Sequence, residues 1–295
     1  MAKGGNYPTI PMLDVVKQVR AAFSLLNPDQ MRRRAARRVS MGLVATSDRG
    51  YAELEDFLIP ASLPAEAREQ LRATVHRAAD PLVPPKVDLV LYESGLLCPE
   101  DSFRYHREDP ALTVSEILHA HDELALPLAR RYPAFRKAVV ERTIMAVAQE
   151  NTLFAVATAL PNVVPSLFEL PWAFGEFASD TVFLTLNQVR MAFLIAAACG
   201  SEVGFSQQKG EILSIVAGAF GWRTIARELA GKIPLGGGLI PKGAIAFAGT
   251  FVIGKGLERY HHGNVPYTPR QRDEVYQAAL ERGKETAESL MQKAG

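Results

Sequence analysis

A chain of 295 residues with 48% apolar content can bury one large core or two ordinary ones, which excludes disorder as its overall state. Lys+Arg number 33 against Asp+Glu 32, so the formal net charge is +1; no global field draws the chain to nucleic acid, and any electrostatic role must be local. Two cysteines far apart, Cys98 and Cys199, exclude a disulfide framework and a CxxC motif and suit a reducing compartment.

The opening residues 1–11, MAKGGNYPTIP, lack the basic start, apolar run and small-residue cleavage site of a secretory signal. Export by that route is not expected, and a cytoplasmic place or the cytoplasmic side of a membrane is. From Met12 to Ser47 apolar residues recur at helical spacing (Val15, Val16, Val19, Phe23, Leu26), and Asn27-Pro28 marks a break between two helices. The second carries Arg32, Arg33, Arg34, Arg37 and Arg38, with positions 34, 37 and 38 on one face. That cluster suits an anionic lipid or phosphate surface, and equally an ordinary solvated face. Residues 51–80 predict two short helices split at Pro60–Pro64, the second running through Val75. Prolines Pro81, Pro84 and Pro85 follow. Val87–Tyr92 then has strand character, and Phe103–Tyr105 can pair with it, so a small β element near 87–105 is expected rather than a full sheet. Residues 1–110 therefore read as a mostly helical region with a minor β element.

Thr113-Val114-Ser115-Glu116 has the form of a capping box, opening a helix that buries Val114, Ile117, Leu118, Leu124 and Leu128 and ends near Arg131. Tyr132-Pro133 breaks it, and a long helix is predicted from Pro133 to Leu160, stopped by Pro161. Further apolar helices are predicted over Thr181–Cys199, Ile212–Leu229 and Gly243–Tyr260. Residues 111–265 thus form an apolar helical domain, with Pro161, Pro165 and Pro234 at its turns. Gly249 and Gly254 belong to a run of small residues that permits close helix packing. Thr268-Pro269, with Gln271 three positions on, starts a charged helix over 266–295 that is expected on the surface.

Length alone lets part of this domain span a membrane. About ten Leu, Ile, Phe and Val between Thr152 and Phe174 favour insertion by roughly 3–6 kcal/mol, but Glu169 alone costs about 2.5–3.5 kcal/mol. Thr181–Cys199 is likewise offset by Arg190. Neither is a convincing solitary span. Such near-balance suits helices that pack together and bury their polar residues against each other. Glu169, Glu176 and Asp180 can line one side with Arg190 as counter-charge, Asn187 and Gln188 suit interhelical hydrogen bonds, and Arg223 and Arg227 make the next helix two-sided. The same pattern also describes a soluble helical core.

Catalytic motifs are not found. Gly249–Gly256 matches GxxxxGK but has Gly256 where a phosphate loop needs Ser or Thr, and Gly236-Gly237-Gly238 lacks dinucleotide spacing. His119 and His121 diverge on a helix and His261-His262 are neighbours, so neither pair sets up a metal site. No catalytic, cofactor or metal residues are assigned, and no enzyme activity is expected.

Several short blocks occur together in order: Asn151, Ala159-Leu160-Pro161, Pro165, Leu186-Asn187-Gln188-Val189-Arg190-Met191, Ala219-Phe220-Gly221-Trp222-Arg223, Ala226-Arg227-Glu228-Leu229, Lys232-Ile233-Pro234, and Ala248-Gly249-Thr250 with Gly254 and Tyr260. Over residues 133–264 the chain resembles the YcjF-like, GTPase-associated helical domain, a family found as a C-terminal extension of Era-like GTPases. The resemblance implies a membrane-associated helical module that accompanies a GTPase. The first 110 residues carry no Walker lysine, DxxG or NKxD, so a GTPase on another polypeptide becomes the expected partner. The fold expected is mainly α, a C-terminal helical bundle behind a mostly helical N-terminal region. The function expected is a membrane-associated adaptor or scaffold; the alternative is a soluble helical scaffold or homo-oligomerisation protein.

Overall fold

The computed structural model describes residues 26–78, 87–158, 180–216, 239–263 and 266–294. They make a mainly helical protein with one small sheet. Two compact units are present, an α/β unit of Asp29–Thr143 and Phe193–Gln207, and a helical unit of Met1–Pro28, Ile144–Ala192 and Gln208–Gly295.

In the α/β unit, α1 (Pro28–Ala35) buries Met31 and Ala35 and turns its arginines outward. It stops at Ala35, so Arg37 and Arg38 lie beyond it and the predicted helix face of Arg34, Arg37 and Arg38 is not formed. Helical spacing to Ser47 is also overturned, because Met41–Val44 is strand β1. All four of its residues are buried, and a strand covered on both faces reads as a plain apolar run with no period of two. The Ser47 hydroxyl accepts the Gly50 N–H at 3.1 Å and opens α2 (Asp48–Leu58), followed by α3 (Ala65–Arg72). The second of these helices ends at Arg72 rather than passing Val75, which instead begins β2 (Val75–Arg77). With β3 (Leu89–Tyr92) and β4 (Phe103–Arg104), the sheet has the order β2-β1-β3-β4 with every neighbouring pair parallel. Met41 stands opposite both Val75 and Leu89, and Leu91 opposite Phe103. Parallel strands need a crossover, which α2 and α3 supply between β1 and β2.

Helix α4 (Pro110–Ala120) begins earlier than the capping-box pattern predicts. Asp109 is its N-cap, accepting the Leu112 N–H at 3.3 Å, and Pro110 takes the first turn, where its missing N–H costs nothing. Thr113 is fully buried and does different work: its hydroxyl accepts the His106 N–H at 2.8 Å and donates to the Arg104 carbonyl at 3.3 Å, tying the helix to β4. A 3₁₀ turn (Asp122–Leu124) leads to α5 (Ala125–Arg131), and Tyr132 then opens α6 (Pro133–Ala157). Tyr132 is fully buried, donates its hydroxyl to the Val39 carbonyl at 3.0 Å and lies 3.0 Å from the Thr74 hydroxyl. One side chain so holds the approach to β1 and the approach to β2.

Helix α6 enters the helical unit after Thr143, and α7 (Asp180–Ala198) leaves it after Ala192. Gly200, at φ 83°, ends α7 in a left-handed turn. Its N–H reaches the Ala197 carbonyl and that of Ser201 reaches Ala196, satisfying the last carbonyls. Arg130 adds a bond to the Ser201 carbonyl at 2.8 Å.

The helical unit continues through a helical stretch at 209–216, then α8 (Leu239–His261) and α9 (Pro269–Ala294). The capping box at the start of α9 forms as predicted: the Gln271 side chain accepts the Thr268 N–H at 3.1 Å and the Thr268 hydroxyl accepts the Gln271 N–H at 3.3 Å. One side of α9 is not at the surface, since Tyr276 and Ala279 pack with Ala248 and Val252 of α8. Close approach depends on glycine. A Cβ at Gly283 would lie 2.8 Å from the Ala244 carbonyl oxygen and 2.9 Å from the Phe247 Cβ, and one at Gly243 would lie 3.0 Å from the Ala287 Cβ. Gly254 likewise lies against Ile144, where an added Cβ would come within 2.7 Å. Gly283→Ala is expected to lose about 1–2 kcal/mol, overpacking against backbone exceeding the gain in helix propensity. Gly256→Ala, with nothing within 4 Å of the added carbon, is expected to gain about 0.5–1 kcal/mol, both read from urea midpoints.

Candidate functional site

In the α/β unit the chain runs from β1 outward to β2 and returns past β1 to β3, so the carboxyl ends of β1 and β3 form a switch point of the sheet. Open α/β sheets hold ligands at such a crevice, commonly with a phosphate on the helix that follows β1. Here a side chain stands in that place. Glu93, the residue after β3, accepts the Thr46 N–H at 3.0 Å and lies 3.2 Å from the Thr46 hydroxyl through the same Oε2. Its own N–H holds the Val44 carbonyl at 2.8 Å. The carboxylate rests against Gly50 in the first turn of α2, where a Cβ would lie 2.5 Å from it. The Thr46 N–H and hydroxyl are thus engaged by the Glu93 carboxylate, which stands where a phosphate would lie. The loop between β1 and α2, Ala45-Thr46-Ser47, carries no lysine. Nearby Cys98 is half-buried, and burial pushes its thiol pKa up.

The other candidate is the buried polar cluster of the helical unit. Asn151 and Thr250 are fully buried, and Asn187 and Gln188 nearly so. Asn187 donates to Asn151 Oδ1 and to Glu150 Oε2, both at 2.9 Å, and accepts from Arg190 Nε at 2.9 Å. Asn151 and Gln188 then donate to the Thr250 hydroxyl at 2.8 and 3.2 Å. Three helices, α6, α7 and α8, are joined by one chain of hydrogen bonds. Arg190 also pairs with Glu150; burial lowers the guanidinium pKa and the carboxylate opposes that shift. Glu150 is the member of this cluster that the sequence does not mark, being one of many acidic residues on a long helix. Glu169, Glu176, Arg223, Arg227, Pro161, Pro165 and Pro234 lie outside the described residues, as does the side chain of Asp180. Gly249 is buried within α8. The whole GxxxxGK match lies inside that continuous helix, where Lys255 pairs with Glu258 and no loop exists to wrap a phosphate.

The five arginines divide by role. Arg32 donates to the Val203 carbonyl at 2.9 Å and pairs with Asp29 at 3.3 Å, while Arg37 reaches Asp88 at 3.5 Å. Arg33, Arg34 and Arg38 are exposed. Among the described residues no three His, Cys, Asp or Glu side chains converge as for a metal ion. No protein-family model, curated protein or solved structure matches the chain.

Thr250→Val removes the shared acceptor and leaves two buried amide donors without one. It is expected to lose about 2–3 kcal/mol in chemical denaturation, whereas Thr158→Val at an exposed site changes stability by no more than about 0.5 kcal/mol. Asp88 gives the pH test. Burial disfavours its charge, but the Ser40 N–H at 2.8 Å, the Ser40 hydroxyl at 2.7 Å and Arg37 outweigh that and hold its pKa below the ordinary 3.8. A carboxyl depressed on folding contributes stability above its unfolded pKa and loses it as pH falls through the folded value. Asp88→Asn is therefore expected to flatten the fall in stability below about pH 4, seen by urea denaturation across the acid range.

Proposed function

We propose that the chain is a non-catalytic helical adaptor that works at the cytoplasmic face of a membrane together with a separate GTPase. The observation that carries the reading is Glu93. A sheet with the strand order of nucleotide-binding folds has an internal carboxylate, bonded to the Thr46 N–H and hydroxyl, at the place where a phosphate would lie. That arrangement supports a non-catalytic role for the α/β unit, and separately residues 133–264 resemble a module that accompanies Era-like GTPases. The GTPase partner rests on that resemblance alone. Calorimetric titration with GTP and GDP is expected to show no saturable binding, and micromolar binding with hydrolysis would overturn the non-catalytic reading. Capture of a GTPase by the full chain from a membrane fraction, but not by the Gly283→Ala variant if that variant opens the helical unit, tests the partner.

Membrane contact on this reading is peripheral. Among the described residues one helical stretch, Thr181–Ala198, is long and apolar enough to cross a bilayer, and 78% of it is buried inside the protein. The same observation favours a second reading, a soluble helical scaffold or homo-oligomer. Recovery of all the protein from the soluble fraction, monodisperse without detergent, would select it.

A further inference from the structure

We propose that Arg33, Arg34 and Arg38 form the contact of this protein with anionic lipid headgroups. The inference rests on the peripheral-membrane reading above and names the surface responsible. Five arginines in seven positions ordinarily mark a solvated face, but here the structure sorts them. Arg32 and Arg37 are structural, bound to the Val203 carbonyl and to Asp88. In doing so they also engage the neighbouring acids, Asp29 and Asp88. The remaining three guanidiniums are exposed, and no described acidic side chain pairs with them. Their backbone is fixed from beneath, because Met31, Ala35 and Val39 are buried. Three positive charges are so displayed above buried apolar residues in a protein whose net charge is only +1. A charge of this kind is local, and its natural counterpart is a dense negative surface.

Lipid is favoured over single-stranded nucleic acid by the composition around the arginines. Single-stranded nucleic acid is held by aromatic platforms beside the basic groups, and residues 26–47 contain no aromatic side chain.

The test is co-sedimentation of the full chain with vesicles of phosphatidylcholine alone and of phosphatidylcholine mixed with phosphatidylserine. The wild type is compared with the triple variant Arg33→Gln, Arg34→Gln and Arg38→Gln, whose folding is checked by circular dichroism and urea midpoint. Exposed positions of this kind tolerate the change. Binding to the phosphatidylserine vesicles is expected, weakened about 100-fold in the triple variant and reduced by raised salt as screening shortens the reach of the charges. Equal binding by wild type and variant, on both vesicle types, would overturn the arginine contact and leave the membrane reading standing on another surface. Binding to neither vesicle would overturn the contact and the membrane reading together. Loss in the triple variant of binding to RNA or DNA, with none to vesicles, would reassign the patch to nucleic acid.

Discussion

A buried amide must find its partners inside the protein, and in the helical unit Asn151 does so only if α6, α7 and α8 stand in one register. Apolar contact alone is non-directional and lets helices slide past one another with little change in energy. The hydrogen bonds from Asn187 to Asn151, and from Asn151 and Gln188 to Thr250, remove that freedom, since a slip of one turn would leave several polar groups dry and unpaired. Glycine then sets the spacing. At Gly254 the Ile144 side chain, and at Gly283 the backbone of Ala244, fill the space that a Cβ would need. The polar network decides the register and the missing side chains decide the distance.

The α/β unit is organised by a different constraint, the satisfaction of backbone and loop donors around a very short sheet. Tyr132 reaches the chain before β1, Thr113 ties α4 to β4, and Glu93 closes the carboxyl end. Strands of two to four residues bring few ladder bonds, so side-chain bonds of this kind contribute a large share of what holds the sheet together. The carboxylate of Glu93 serves that structural purpose, and its position is also why we read the unit as a framework without nucleotide chemistry.

Legibility in the sequence followed the range of the signal. The start of α6 at Pro133 and the Thr268–Gln271 capping box are local devices, and they are found where the sequence puts them. The small-residue run of α8 and the interhelical use of Asn187 and Gln188 are also legible, because small and amide residues in an apolar helix have few other uses. β1 is not legible: four buried residues show no alternation, and the helical spacing upstream extends into them. The Thr113 box misleads because Asp109 competes for the same helix start and wins with Pro110 behind it. Glu150 and Glu93 are missed for a common reason, their roles being set by residues 40 and 47 positions away in the chain.

By itself the sequence determined that the protein is mainly helical, that its apolar half must hide a few polar groups, and where α6, α7 and α9 begin, since these follow from composition, period and capping within a few residues. Only the tertiary structure decided which polar groups meet, which of the arginines at 32–38 are held by partners, and what stands at the carboxyl ends of the two central strands. Those outcomes depend on pairings between distant residues, and no local pattern encodes the partner of a carboxylate.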